Sequence, residues 1–152
     1  MFYLIIFIFL LLDQLIKMIV AGNMLPGDSI PVINDIFHFT YVRNTGAGFG
    51  ILAGKRYLLI VISSLILIGI FIYRYRQRDS RLLEFSLGLI TAGALGNLLD
   101  RIRLSYVIDY LDFRVWPVFN LADVLVCIGT GLFIIYIWRS EGGKNETDTP
   151  HQ

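Results

Sequence analysis

The sequence has few of the side chains on which metal centres and disulfide-stabilised domains depend. Its 152 residues include one cysteine and two histidines. The lone Cys127 excludes a disulfide framework within the chain and a cysteine-based metal site. With His151 near the C-terminal end, no histidine pair is left for zinc, and a Ser-His-Asp triad could use only His38. We therefore expect no metal ion and no cofactor.

Charged residues are also scarce. They make up 16% of the chain, against about 25% in a typical soluble domain. Lysine and arginine total 13 and aspartate and glutamate total 12, so the net charge of +1 provides no basic face for nucleic acid. Hydrophobic residues reach 56% and the mean hydropathy is +0.68. This length and composition predict a small integral membrane protein with one domain.

Four apolar segments have roughly the 20 residues that a membrane-spanning helix needs. They cover residues 1–20, 57–73, 82–99 and 119–138. The first segment lacks the basic start and the small-residue cleavage site of a signal peptide, so we interpret it as a retained span. We predict one four-helix membrane domain over 1–138, followed by a polar, disordered cytoplasmic tail over 139–152.

The connections between the spans indicate an orientation and a small sheet. Residues 74–81 (RYRQRDSR) contain four arginines, which favours a cytoplasmic location by the positive-inside rule. Both termini are then cytoplasmic, and residues 21–56 and 101–118 face outward. The sequences SIPVIND and IFHFTYV within 21–56 alternate and are rich in β-branched and aromatic residues, which predicts strands. The predicted fold is an all-α membrane protein with a small extracytoplasmic sheet and a short loop or helix between spans three and four.

Ionisable side chains within the spans need an explanation, because a charge in a bilayer is costly. Asp13 and Lys17 are four residues apart on one face of the first span, and we predict that they form an ion pair. Further polar residues lie near the shared end of spans three and four and in their connection, namely Asn97, Asp100, Arg101, Asp109, Asn120 and Asp123. Three carboxylates can therefore meet at one membrane face.

Carboxylates that lie close together at a low-dielectric boundary cannot all ionise, so a pair of them shares a proton. One member can then activate water while the other protonates the substrate, which is the chemistry of an aspartic protease. The spacing leaves open which of Asp100, Asp109 and Asp123 form the pair. It also leaves open a polar cavity or an ion path, in which Asp100 simply pairs with Arg101.

Three other functions fit parts of the pattern. A serine-lysine signal peptidase could use Lys17, but Ser63 and Ser64 lie mid-span, far in depth from the outer acids. A small proton-coupled transporter could use the acids of spans one, three and four as a relay, which requires acids at several depths. A purely structural subunit leaves the clustered acids unexplained.

Five short motifs follow one another along nearly the whole chain: DQLIK at 13–17, NTGAGFG at 44–50, GALGNLLDR at 93–101, VIDYLDF at 107–113 and FNLAD at 119–123. Together they resemble the bacterial lipoprotein signal peptidase family, the type II signal peptidases. The resemblance implies a membrane aspartic peptidase that removes signal peptides from prolipoproteins. It also implies cleavage before a diacylglyceryl-modified cysteine, without a metal or cofactor, in the bacterial cell membrane.

By motif position, the resemblance assigns catalysis to Asp109 and Asp123, a choice that the spacing alone does not make. It assigns supporting or substrate-binding roles to Asn44, Gly93, Asn97, Asp100, Arg101, Asn120, Asp13 and Lys17. The outer strands resemble the β-cradle with which the family clamps its substrate, and globomycin is the expected inhibitor class. We expect a monomer whose partners are the prolipoprotein substrate and membrane lipids.

Two positions and the length of one loop depart from the family pattern. Ala92 stands where the pattern usually has a glycine before Gly93, a small-for-small change that should preserve packing. Gly48 replaces a common alanine and could loosen its loop. Only 14 positions separate Asp109 from Asp123, which is short for the family. We expect the short loop to alter the lid over the carboxylates and the tolerance for substrates, but not the chemistry.

Overall fold

The structure, a computed structural model, describes residues 1–76 and 80–145. Four helices run through this part of the chain: α1 (Phe2–Asn23), α2 (Arg56–Arg76), α3 (Arg81–Leu104) and α4 (Leu121–Asn145). Each contains an apolar stretch that is long enough to cross a membrane. The four predicted spans are therefore confirmed, and each helix continues beyond the apolar segment on at least one side.

The C-terminal part of the chain differs from the prediction. Helix α4 continues to Asn145, so residues 139–145, which we expected to be disordered, are helical. The fall in hydropathy after Trp138 ends the apolar span, but it does not interrupt the backbone hydrogen bonds that propagate a helix. The rest of the predicted tail, residues 146–152, lies outside the described residues.

Helix α3 lies at the centre of the bundle, because its small residues let the other helices approach closely. A Cβ atom added at Gly88 would lie 3.0 Å from Ile5 on α1. One added at Gly96 would collide with a side chain of α1, and one added at Gly93 would collide with the backbone carbonyl of Ala122 on α4. Close approach at small residues is the usual way in which helices pack within a membrane.

Helix α2 has the opposite character and is largely exposed. It buries only Leu59 and Leu67. Val61, Leu65 and Ile68 each expose more than half of their surface. Such a continuous apolar surface is unfavourable in water and is typical of a helix that faces lipid.

Three strands, β1 (Ser29–Ile33), β2 (Phe37–Asn44) and β3 (Val107–Asp112), form an antiparallel sheet in that order. Strands β1 and β2 confirm the prediction for the segment before span two. Strand β3 corrects the expectation of a loop or helix between spans three and four. Its pairing partner is β2, which precedes α2 and α3 in the chain, and the sequence around β3 gives no local sign of that distant pairing.

The sheet rests on the C-terminal end of α1. Tyr41 of β2 and Ile108 and Tyr110 of β3 pack with Val20 of α1 in one buried cluster. Because side chains alternate along a strand, Asp109 between Ile108 and Tyr110 faces the other side of β3. The packing of this cluster therefore fixes the direction of the Asp109 side chain.

Candidate active site

Two carboxylates from different elements face the same cavity. Asp109 is in the middle of β3 with 2% of its surface exposed, and Asp123 is in the first turn of α4. Both line a cavity of about 740 Å³ between the sheet, α2, α3 and α4. Asp100, the third acid that the spacing brings to this face, is not among the described residues that line the cavity.

Asn120 connects the two carboxylates. Helix α4 begins at Leu121, so Asn120 is its N-cap and Asp123 is its third residue. The Asn120 side-chain oxygen accepts from the Asp123 backbone N–H at 3.0 Å, and Asp123 Oδ2 accepts from the Asn120 backbone N–H at 3.2 Å. This reciprocal arrangement is a capping box. The side-chain nitrogen of the same asparagine donates to Asp109 Oδ1 at 2.6 Å.

Two further asparagines each donate to one carboxylate. Asn44, at the end of β2, donates to Asp109 Oδ2 at 2.8 Å. Asn97 on α3 donates to Asp123 Oδ1 at 2.8 Å. Both oxygens of Asp109 and both oxygens of Asp123 therefore accept a hydrogen bond from a fixed amide. Donors in these positions hold both carboxylates in place.

Lys17 sets the orientation of Asn97. Its ammonium group lies 3.0 Å from Asp13, 2.9 Å from Asp100 and 2.9 Å from the side-chain oxygen of Asn97. Lysine has only donors, so Asn97 must present its oxygen to Lys17 and its nitrogen to Asp123. The predicted ion pair between Asp13 and Lys17 is confirmed, and Lys17 is 1% exposed.

The structure does not support the alternative pairing of Asp100 with Arg101. Asp100 pairs with Lys17, whereas Arg101 donates to the backbone carbonyl of Gly46 at 2.8 Å. Gln14, which the sequence analysis missed, donates to Asp13 and to Asp100 at 3.1 Å each. Its sequence signal was a polar side chain inside an apolar span, where a polar group needs a partner.

Lys17 is also unsuited to a serine-lysine mechanism. The three N–H groups of its ammonium match its three partners, Asp13 on α1 and Asp100 and Asn97 on α3. No part of the ammonium group is left to contact a serine hydroxyl. Ser63 lies on another helix, α2, in the wall of the cavity. The acids of spans one and three are likewise engaged with Lys17, which does not fit an open proton relay.

The other sequence-predicted residues have packing or peripheral positions. Gly93 allows α4 to approach α3 one residue before Asp123, because a side chain there would collide with the carbonyl of Ala122. His38 lies on β2, where its Nδ1 is 3.0 Å from the hydroxyl of Ser29. This histidine is not among the described residues that line the cavity.

The environment of Asp109 favours its protonated form. Burial, together with the nearby charge of Asp123, raises the pKa of Asp109 to about 7, against the opposing effect of the donors Asn44 and Asn120. A carboxyl with this pKa can carry a proton at neutral pH while its neighbour is ionised. Four membrane-spanning helices around such a pair of carboxylates are typical of a membrane aspartic hydrolase.

Comparison with known proteins identifies the family. The family model described as signal peptidase (SPase) II, Peptidase_A8, matches residues 5–139. The lipoprotein signal peptidase of Halothermothrix orenii is 55% identical over 93% of this chain and 97% of that protein, and that of Moorella thermoacetica is 47% identical over 91% of each. Two solved structures of bacterial membrane enzymes superpose on this chain. The first has a TM-score of 0.87 at 32% identity and covers 99% of this chain and 94% of its own. The second has a TM-score of 0.80 at 35% identity and covers 90% of this chain and 91% of its own.

The chain belongs to the signal peptidase II family. It is a bacterial membrane protein and an aspartic peptidase that removes signal peptides from prolipoproteins.

Proposed function

We propose that Asp109 and Asp123 are the catalytic pair of this peptidase and that they share one proton. The observation that carries the proposal is the position of Asn120, which donates to Asp109 with its side chain and to Asp123 with its backbone. One residue thus holds both carboxylates against the same cavity. Two other acids near this end of the helices, Asp13 and Asp100, are both ion-paired with Lys17.

The two carboxylates take different roles in the reaction. Asp109, whose pKa is raised to about 7 by its burial and by the charge of Asp123, carries the proton, and Asp123 is the base. A water molecule between them attacks the scissile carbonyl carbon as Asp123 takes one proton from that water and Asp109 gives its proton to the carbonyl oxygen. The C–N bond of the resulting diol then breaks. Asp123 passes its proton to the leaving amine, and one hydroxyl of the diol returns a proton to Asp109, which restores the starting state.

The substrate is a prolipoprotein that carries a diacylglyceryl-modified cysteine, and the cut is made before that cysteine. A second, apolar cavity of about 390 Å³ supports this assignment. It is lined by Phe113, Trp116, Phe119 and Ile128, among others, and it shares Asp123 with the first cavity. Acyl chains that lie in this second cavity place the lipidated residue beside the catalytic pair, and membrane lipids line the same face.

The catalytic pair acts at the outer face of the bacterial cell membrane, in a single catalytic domain that works as a monomer. The arginine-rich ends of α2 and α3 support this orientation. Arg74 and Arg76 are in the last turn of α2 and Arg81 begins α3. These arginines lie at the opposite end of the bundle from Asp109 and Asp123. The positive-inside rule places the arginine-rich end in the cytoplasm.

The orientation is tested with a fluorescent protein that matures only in the cytoplasm. Fused to the C-terminus, it should fluoresce.

The substrate assignment is tested by mass spectrometry of the products. The purified protein in detergent micelles is incubated with a diacylglyceryl-modified prolipoprotein and with the same protein before lipidation. We expect one cut, immediately before the modified cysteine, and much slower cleavage without the lipid. Cleavage at another bond, or equal rates for the two substrates, would contradict the assignment.

A further inference from the structure

The larger cavity continues from the carboxylates towards the middle of the membrane-spanning helices. Its deep part is lined at helical spacing by Leu59, Ile62, Ser63 and Ile66 of α2, Ile90 and Ala94 of α3, and Val126 and Cys127 of α4. These side chains are apolar apart from one hydroxyl and one thiol. The deep part is therefore a groove suited to an apolar segment of a substrate.

The depth of Ser63 can be read from the helices. Arg56, at the start of α2, donates with its side chain to the backbone carbonyls of Arg101 and Ile102, so the first turn of α2 lies near the level of these residues. A helix rises about 1.5 Å per residue, which places Ser63 about 10 Å below this level and Asn97 about 6 Å below it. The Ser63 hydroxyl is therefore about one helical turn deeper than the amide that holds Asp123.

Ser63 makes no hydrogen bond to any residue within 1–76 and 80–145. Its side chain is half-buried in an apolar wall. Ser86 and Thr91 of α3 show the usual alternative, since their hydroxyls donate to the carbonyls of Leu83 and Leu87 in their own helix. A hydroxyl without a partner in an apolar environment is unfavourable. Ser63 is therefore free to bond to whatever occupies the groove.

The occupant of the groove, given the proposed function, is the end of the signal peptide that precedes the scissile bond. A peptide bond must leave helical structure to enter the space between two catalytic carboxylates, and its backbone groups then have no internal partners. Groups that stay unpaired at membrane depth are strongly unfavourable, unless the protein satisfies them. The groove offers one hydroxyl at this level.

We propose that Ser63 donates a hydrogen bond to a backbone carbonyl of the signal peptide, about one or two residues before the scissile bond. Ser63 lies about one helical turn deeper than Asn97. An extended chain advances about 3.3 Å per residue, so one or two residues of the signal peptide span this difference in depth. Ser63 is thus a substrate-binding residue that recognises the backbone of an unwound segment rather than a particular side chain. This inference rests on the proposed function.

The test compares Ser63 with its neighbour Ser64, which is also half-buried and lies at nearly the same depth, but is not among the described residues lining the groove. Cleavage of the lipidated prolipoprotein in micelles is measured for S63A, S63T and S64A. We expect S63A to raise KM about three- to tenfold with kcat unchanged, in line with hydrogen bonds measured within membranes. S63T, which keeps the hydroxyl, and S64A should stay within about twofold of the wild type.

Equal KM values for S63A and S64A overturn the inference. A rise in KM in S63T as large as that in S63A overturns it as well. Thermal unfolding of each variant in the same micelles provides the control for folding. The proposed function fails separately, because a wild-type protein that does not cut the lipidated substrate contradicts it whatever Ser63 does. Wild-type cleavage with an unaffected S63A overturns the role of Ser63 alone.

Discussion

Lys17 on α1 donates a hydrogen bond to the side-chain oxygen of Asn97 on α3 at 2.9 Å, and this bond turns the Asn97 nitrogen towards Asp123. A buried cation that pairs with Asp13 and Asp100 therefore also orients a donor of the proposed catalytic pair. The stability of the bundle and the geometry of the cavity depend on the same ammonium group.

Replacement of Lys17 by methionine should strongly destabilise the protein. The change leaves two buried carboxylates without their cation, and loss of one partner of a buried ion pair costs about 3–5 kcal/mol. Thermal unfolding in micelles measures the effect. Lys55 is exposed in the loop before α2, so K55M is the matched control and should lie within about 0.5 kcal/mol of the wild type. Equal stability of K17M and K55M would show that the cluster contributes little.

The side chain of Asn120 should matter more for activity than for stability. Serine is as good an N-cap as asparagine, so N120S should keep α4 capped and lose about 1–3 kcal/mol, the usual cost of leaving one buried acceptor, here Asp109, without its donor. Serine has no amide nitrogen to donate to Asp109, and we expect cleavage to fall at least tenfold. Unfolding and cleavage are measured on the same sample. Wild-type activity in N120S would remove the bridging role that we give to this side chain.

The pH dependence of cleavage should report the proton that the pair shares. Because burial and Asp123 raise the pKa of Asp109 to about 7, kcat/KM should fall as the pH rises through about 7 and that proton is lost. Asn44 donates to the ionised form of Asp109 and so lowers its pKa. N44A should therefore move the alkaline limb to higher pH. A shift to lower pH in N44A would show that another group sets this limb.

Gly93 should tolerate no side chain. A Cβ atom there would meet the backbone carbonyl of Ala122, which cannot move without displacing the first turn of α4. We expect G93A to lose about 1–3 kcal/mol of stability and to lose activity with it. Gly131 on α4 has open space around it, so G131A is the control and should be neutral or slightly stabilising. Similar unfolding temperatures for the two variants would contradict the packing.

Local patterns predicted the parts of the fold that depend on local sequence. Four apolar runs predicted the helices, and alternation predicted β1 and β2. Strand β3 was missed because its pairing with β2 joins Asn44 and Val107, which are far apart in the chain. The helical structure of residues 139–145 was not predicted, because polar composition indicates the end of an apolar span but not the end of a helix, and α4 continues to Asn145.

The candidate site shows the same limit. Spacing brought three acids to one end of the bundle but could not choose between Asp100 and Asp109, since both lie near the end of α3. The difference between them is tertiary: Lys17 reaches Asp100 from another helix, and the pleat of β3 turns Asp109 into the cavity. Gln14 was overlooked for the same reason, because its partners Asp100 and Gly96 belong to α3.

The most direct test of the account is cleavage of a diacylglyceryl-modified prolipoprotein by the purified D109N and D123N variants. Asparagine keeps the size of each side chain but can neither accept the proton of water nor share one with its neighbour. We expect each variant to remain folded and to lose cleavage by at least about a hundredfold, the usual range for removal of a general acid or base. Wild-type rates in either folded variant would contradict the assignment of the catalytic pair.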